Sequence, residues 1–426
     1  MARSHAKQIL LIIGLLTGLS SCAFPSTSAS PTLQQASPTS IPPTPSTPPT
    51  MEPTIAPSQV PTDTPAATPM NTDFYQPVGI ATLPMGGGRV VYYDLQGQQI
   101  GELLAPGLLS GSLQQVHIAG PLSYSPEPII PPLVFYTFDN GGELWVNNNN
   151  ALSLIKPVPN LYSISGVPGK PLLVYSQVIY SDIGLQSLVY IGDIQSIGSV
   201  NPVLDSTNSQ SYAVKPLAIA TENDQAAGIW YTTNPYGIGG DIVFEPTQTL
   251  NYLNLADNQI KTYLSLKYGP TGISDDQAWV AYNQSGEISP LTIVHNFDFS
   301  NPITYPLMET NDRGAGNAVF SPDNQYIAWK EAGGSLMDQP PSFHETIRVA
   351  TLDGNIIAEI PDTSLLTASG FSEIDWVIPL GWLDTQTLAL EIRGISWENA
   401  AILSVRYDGS NPTFIASGSF LGFLYP

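Results

Sequence analysis

From Asp73 onward, apolar residues come in short runs or in strict alternation with polar ones, and Gly, Pro, Asn and Asp punctuate them. Runs of this kind lie at 133–138, 172–175, 228–231, 278–282, 327–330 and 388–392. Each is followed by a second, at 143–146, 188–193, 250–255, 291–296, 347–352 and 402–407. They are short and rich in Val, Ile, Tyr and Trp, which predicts strands; no stretch carries a convincing 3.6-residue helical period. The pattern also repeats. Aligning the runs places tryptophan at 230, 279 and 329, separated by 49 and 50 residues. Two of the second strands end in Asp353-Gly354 and Asp408-Gly409, pairs that favour a type I′ hairpin with positive φ at both central residues.

A spacing of roughly 40–60 residues per four-strand unit is the signature of a β-propeller. Six units have both inner and outer strands. A seventh, 78–83, 89–95 and 99–104, lacks a preceding inner strand, while the apolar piece 418–425 has no unit of its own. Joining that piece to the first unit would close the ring and cover an open sheet edge. The expectation is an all-β propeller of seven blades, with six or eight as the alternatives.

The run Asn317-Ala318-Val319-Phe320-Ser321-Pro322-Asp323-Asn324-Gln325-Tyr326-Ile327-Ala328-Trp329 resembles the WD-like repeat of TolB-type β-propellers. Asn324 stands where that motif has glycine. A degenerate copy is Ile273-Ser274-Asp275-Asp276-Gln277-Ala278-Trp279, and Gly381-Trp382-Leu383-Asp384 is fainter. As a pattern the resemblance covers most of residues 78–426. It implies the fold, and hints at an accessory role in an envelope complex.

Upstream the texture differs. Residues 22–71 hold thirteen prolines among Ser and Thr, with Glu52 and Asp63 as the only charges. Such a segment lacks the apolar surface to offset chain entropy. It reads as a semi-rigid linker, at ~3.1 Å per residue reaching on the order of 150 Å. Before it, Arg3 and Lys7 precede an apolar run, Ile9 to Leu19, too short for a spanning helix of roughly 20 residues. A positive start, a short apolar core and small residues make a secretory leader, residues 1–21. Leu19-Ser20-Ser21-Cys22 resembles the bacterial lipobox, which implies that Cys22 is acylated and tethers the mature chain to a membrane in the cell envelope. The domain reading is leader 1–21, linker 22–71 and propeller 72–426.

Charge narrows the partners. The formal net charge is −22, and nearer −24 once Arg3 and Lys7 leave with the acid-free leader. That balance repels phosphate backbones, so nucleic acid is not an expected partner. Attachment to anionic lipid would rest on the acyl chains. Cys22 is the only cysteine, so with it acylated the fold stands without disulfides.

Catalytic signals are absent. There is no Gly-x-Ser-x-Gly elbow. His5, His117, His295 and His344 have no second histidine at ligand spacing, and no Asp-x-Asp-x-Asp calcium loop occurs. Ser321 to Gln325 loosely resembles a sialidase Asp-box, but Arg89, Arg313, Arg348, Arg393 and Arg406 are few for a carboxylate-binding cluster. No catalytic, cofactor or metal residue is assigned. Trp230, Trp279 and Trp329 are read as packing between blades, on inner strands. Two loops stand out: the glycine-rich 236–241, read as a turn, and the long insertion from Glu331 to Glu345. The expected function is a surface-tethered lipoprotein whose propeller binds or scaffolds an envelope protein or a glycan. The alternative is a secreted propeller enzyme acting on glycans, a hydrolase or lyase.

Overall fold

The structure is a computed structural model. It describes residues 76–104, the strands 116–118 and 133–135, and, with short gaps, residues 143–425. The leader, the linker and Cys22 lie outside the described residues.

Strands dominate, and they pair into six four-stranded antiparallel sheets. Blade I joins Ser419–Leu424, Gly79–Leu83, Arg89–Asp94 and Gln99–Leu104. Blade II runs Leu161–Gly166, Leu172–Ser181, Gly184–Asp193 and Leu204–Asn208. Blade III begins at Tyr212–Glu222, blade IV at Tyr268–Ile273, blade V at Gly314–Phe320 and blade VI at Ile374–Trp382, each continuing outward in chain order. The first strand named in each blade is the innermost. In blade I it comes from the C-terminal end, so Gly79 pairs with Leu424 and the termini close the ring as expected.

The blade count is corrected. Seven blades were expected, but among the described residues six sheets are four-stranded. The interval between blades I and II holds two two-stranded ladders, Val116–Ile118 with Leu133–Phe135 and Glu143–Asn148 with Ala151–Pro157. Val116–Ile118 lies beside the innermost strands of blades I and II.

The core sits between blades. Ile347, Val349, Val377, Leu388 and Leu390 join blade V to VI; Ala281, Ile293, Phe320, Ile327 and Trp329 join IV to V. Trp230, Trp279 and Trp329 lie on the second strand of their blades, not the innermost. Trp329 is fully buried, and the Trp230 indole donates 2.8 Å to Gln277 Oε1 of the next blade. Their role in packing between blades is as read; their strand is one further out.

Each innermost strand of the six blades breaks register at least once, and those of blades III and VI break it twice. One break in each falls at Leu161/Ser163, Pro216/Ala218, Pro270/Gly272, Gly316/Val319 and Pro379/Gly381, and in blade I opposite Ala81/Thr82. An innermost strand is a sheet edge facing the central channel. A bulge there twists the edge out of pairing geometry. Proline, which has no N–H to give a ladder, marks the spot in blades III, IV and VI.

The Asp-Gly turns also differ from expectation. Only Gly354 and Gly409 have positive φ (103° and 79°), not the preceding aspartates. The Asp353 and Asp408 carboxylates instead accept hydrogen bonds, from Asn355 Nδ2 at 2.9 Å and Ser410 N at 3.0 Å. In each pair the glycine, not the aspartate, is left-handed within a longer hairpin loop, and Asn411 adds a second left-handed residue to the later one.

Candidate functional site at the loop face

The strand order sorts all connections onto two faces. First-to-second and third-to-fourth strand turns emerge on one, here the turn face. Second-to-third connections and the links to the next blade emerge on the other, the loop face.

The turn face is built from short aspartate turns. Asp94, Asp257, Asp298, Asp384 and Asp408 each accept a backbone N–H within their own turn. Hydrogen bonds from Ser300 and Asn301, from Thr351 and from Ser410 hold Asp298, Asp353 and Asp408 below the usual carboxylate range. The motif that carried the family resemblance does the same work. Ser321 Oγ donates to Asp323 at 2.7 Å, and Asn324 takes φ 52°, a left-handed conformation that asparagine tolerates. These turns also hook neighbouring blades. Gln277 Nε2 donates to Ile219 O at 2.9 Å, Asn324 Nδ2 to Asp276 Oδ2 at 2.6 Å and the Trp382 indole to Val319 O at 3.2 Å.

One acid on this face is different. Asp275 stays exposed and, among the described residues, has no hydrogen-bond or ion-pair partner. Burial and then neighbouring Asp276 raise its pKa. Burial, and secondarily Asp275, also raise Tyr425. The two lie at the turn-face end of the innermost strands of blades IV and I.

The loop face has the opposite character. Met85, Leu104, Tyr180, Leu266, Ile288, Met308 and Ile395 are exposed there. Among the described residues, Val78 and Ile260 are exposed at the turn face, Ile100, Ile357 and Phe414 lie one residue in from it on outer strands, and Leu154 is on Ala151–Pro157. The long loops singled out in the sequence both belong to the loop face. Residues 237–243, 245–246 and 335–341 lie outside the described residues; Tyr236, Phe244, Glu331 and Glu345 are described. Tyr236 packs edge-on against Tyr162 and Tyr180. Phe244 reaches from blade III to Gly316 on the innermost strand of blade V, so close that a Cβ at 316 would collide with its ring.

Beneath this face, at the loop end of blades V and VI, lies a set of buried charges. Lys330 and Glu345 pair at 2.9 Å, almost wholly out of solvent, and Glu345 Oε2 accepts the Val377 N–H at 2.6 Å. The Lys330 ammonium lies 5.2 Å from the rings of both Phe244 and Trp376. Desolvation pulls Lys330 down and pushes Glu345 up, and their mutual attraction opposes both shifts. On the other side of the same sheet Arg348 binds Glu331 at 2.8 Å and Pro306 O at 2.6 Å. Glu331 Oε1 accepts the Met308 N–H, so this pair ties down the link from blade IV to V. Glu391, raised by burial, pairs with Arg393 at 2.8 Å, whose guanidinium lies over Trp376. The two glutamates that bound the predicted insertion are therefore anchors of the loop face.

The remaining candidates are scattered. His295 lies over the Trp279 ring at 4.5 Å, and His344 Nδ1 is 2.9 Å from Ser342 O. The His117 side chain lies outside the described residues. Among the described residues no three metal-ligating side chains converge. Sequence reasoning missed the Lys330–Glu345 and Arg348–Glu331 pairs. Their trace was a charged residue at the centre of an apolar strand, which only a buried partner makes tolerable.

No protein-family model matches the sequence, and no curated protein does. Among solved structures the chain is similar to TolB from Acinetobacter baumannii, at 11% identity over 81% of this chain and 82% of that one, with a TM-score of 0.40. It is similar to an oligogalacturonate lyase in complex with manganese, at 11% identity over 80% and 84%, TM-score 0.46. It is also similar to prolyl oligopeptidase B from Galerina marginata, at 8% identity over 81% and 51%, TM-score 0.48. The propeller architecture rests on the strand pairing.

Proposed function

We propose that this chain is an exported bacterial lipoprotein, held in the cell envelope by lipid on Cys22, whose β-propeller is a binding module that meets its partner through the loop face. One observation carries the reading: the larger set of exposed apolar side chains lies on that face, while the loops of the turn face are built on self-satisfied aspartates. Apolar surface concentrated on one side of a soluble domain marks an interaction site. The long loops are the parts of a rigid scaffold that carry recognition. The buried ion pairs beneath serve that surface by fixing the loop ends, and the linker gives the domain reach from the membrane.

The test compares the faces. Envelope extract is passed over the wild-type domain, a variant with Met85→Ser, Ile288→Ser and Ile395→Ser, and a variant with Asp353→Asn and Asp408→Asn. The reading predicts a partner kept by the wild type and the turn-face variant and lost by the loop-face variant. Retention by all three contradicts it. For the anchor, Cys22→Ala is expected to release the chain or leave its precursor uncut; unchanged membrane fractionation and mass would count against lipidation.

A second reading, a glycan-active hydrolase or lyase, is favoured by Asp275. An exposed, unpartnered carboxyl whose pKa is raised, at the turn-face end of an innermost strand and in electrostatic reach of Tyr425, suits general acid–base work. Turnover of an oligosaccharide abolished by Asp275→Asn would establish it over the binding reading.

A further inference from the structure

Blade VI carries a groove on the loop face. The connection that follows Asp362–Leu365 and Leu366–Ser369 runs back to the blade's innermost strand, and opposite it the chain leaves Thr387–Gly394. Between them lies an open groove of ≈ 330 Å³, lined by Phe371, Ser372, Glu373, Gly394, Ile395 and Asn399. Gly394 keeps the floor flat: a Cβ there would already touch the Phe371 ring at 3.5 Å. Ile395 is 60% exposed at the rim.

Glu373 gives the groove its chemistry. It is exposed, and among the described residues its carboxylate has no hydrogen-bond or ion-pair partner. Arg393, a cation of the same blade adjacent in sequence to Gly394, is held by Glu391 and by the face of Trp376. The groove therefore offers an apolar wall, an aromatic ring and an unmatched negative charge. Its volume is at the lower end for small-molecule sites, and it is open on one side. That shape fits one long side chain presented by another chain better than an enclosed ligand.

We infer that this groove receives an arginine or lysine side chain from an apolar segment of a protein partner. The aliphatic stem lies along Phe371 and Ile395, and the cationic head meets Glu373. Apolar neighbours of that residue fall on the exposed hydrophobics of the loop face. Long cationic side chains bury their stems while keeping the charge near water, which is what a half-open groove permits. The chain's net charge of −22 draws a cationic segment in, acting on the association rate and on sensitivity to salt. The inference rests on the loop face being the binding surface, and it adds the chemistry of the partner.

Short synthetic peptides test it. Each holds one central residue, Arg, Lys, Gln or Glu, between leucines and isoleucines, and binding is read by fluorescence polarisation. The proteins are the wild type, Glu373→Gln, Ile395→Ser, and Glu222→Gln, which removes an exposed acid at the turn-face end of Tyr212–Glu222 in blade III. The wild type should prefer Arg and Lys peptides over Gln by about three- to fivefold, the range of a partly exposed ion pair. Glu373→Gln should erase that preference, Ile395→Ser should weaken all peptides, and Glu222→Gln should leave both unchanged. Added salt should narrow the preference. Equal binding of Arg and Gln peptides, or a preference surviving Glu373→Gln, overturns the groove inference while leaving a loop face that binds apolar segments. Failure of every peptide to bind overturns the groove inference as well; the envelope pull-down then decides the broader reading separately.

Discussion

On the turn face, Asp94, Asp257, Asp298 and Asp408 spend their carboxylates on N–H groups of their own turns. On the loop face, exposed Ile288, Met308 and Ile395 touch little, while Lys330, Glu331, Glu345 and Arg348 are buried beneath them in pairs drawn from separate strands. The same blades build both. The first face answers a local demand, closing short hairpins and hooking each blade to the next. The second is held by long-range contacts and leaves its apolar surface unused by the fold. Surface that stability does not require is where recognition can reside.

The comparison depends on one ring carrying both faces, and the sharpest way to break it is at the seam. Removing residues 419–426 deletes the innermost strand of blade I with buried Leu421 and Leu424, and exposes the edge of Gly79–Leu83. The melting temperature should fall by more than for any single substitution below, whereas removal of residues 23–68 should change it little. Equal effects would contradict a ring closed between the termini.

Next in size are the buried pairs under the loop face. Lys330→Met leaves Glu345 unpaired out of water, a loss of about 3–5 kcal/mol by denaturant unfolding. Lys330→Met combined with Glu345→Leu should recover most of it, since a packed apolar pair often matches a buried ion pair. A double variant as unstable as the single would mean that the pair holds more than itself.

The turn aspartates should matter least, and with a definite pH dependence. Hydrogen bonds depress the native pKa of Asp353 and Asp408 below the ordinary 3.8, so their contribution is present above that value. It is lost as pH falls through the native pKa. Asp353→Asn and Asp408→Asn should therefore each lower the melting temperature slightly at neutral pH, with the gap closing in acid below about pH 4. A gap that widens in acid would reverse the assignment.

Much of the turn face could be read from sequence. Trp230, Trp279 and Trp329 gave the repeat, and Phe320 to Asn324 gave the turn, because both are local patterns. The closing strand at 419–424 was legible as an apolar run with no partner nearby. The Asp-Gly pairs were assigned to the wrong turn, since dipeptide preference does not say how many residues the loop will use. Pro216, Pro270 and Pro379 mark equivalent bulges but sit in runs that read as ordinary strands. The number of complete blades went astray at 105–150, where the strand pattern was weak and the described residues form two two-stranded ladders. The loop face was the least legible. Lys330 meets Glu345 across a long connection, and Phe244 meets Gly316 across a whole blade. Neither spacing has a periodic signal.

The central claim is that this protein contacts its partner through the loop face. A photo-cross-linking residue placed singly at Ile288, Met308, Ile395, Asp298, Asp353 and Asp408 in the full chain, in intact cells, tests it most directly. Adducts should form from Ile288, Met308 and Ile395 and not from the three turn-face positions. Adducts arising mainly from Asp298, Asp353 and Asp408 would contradict it.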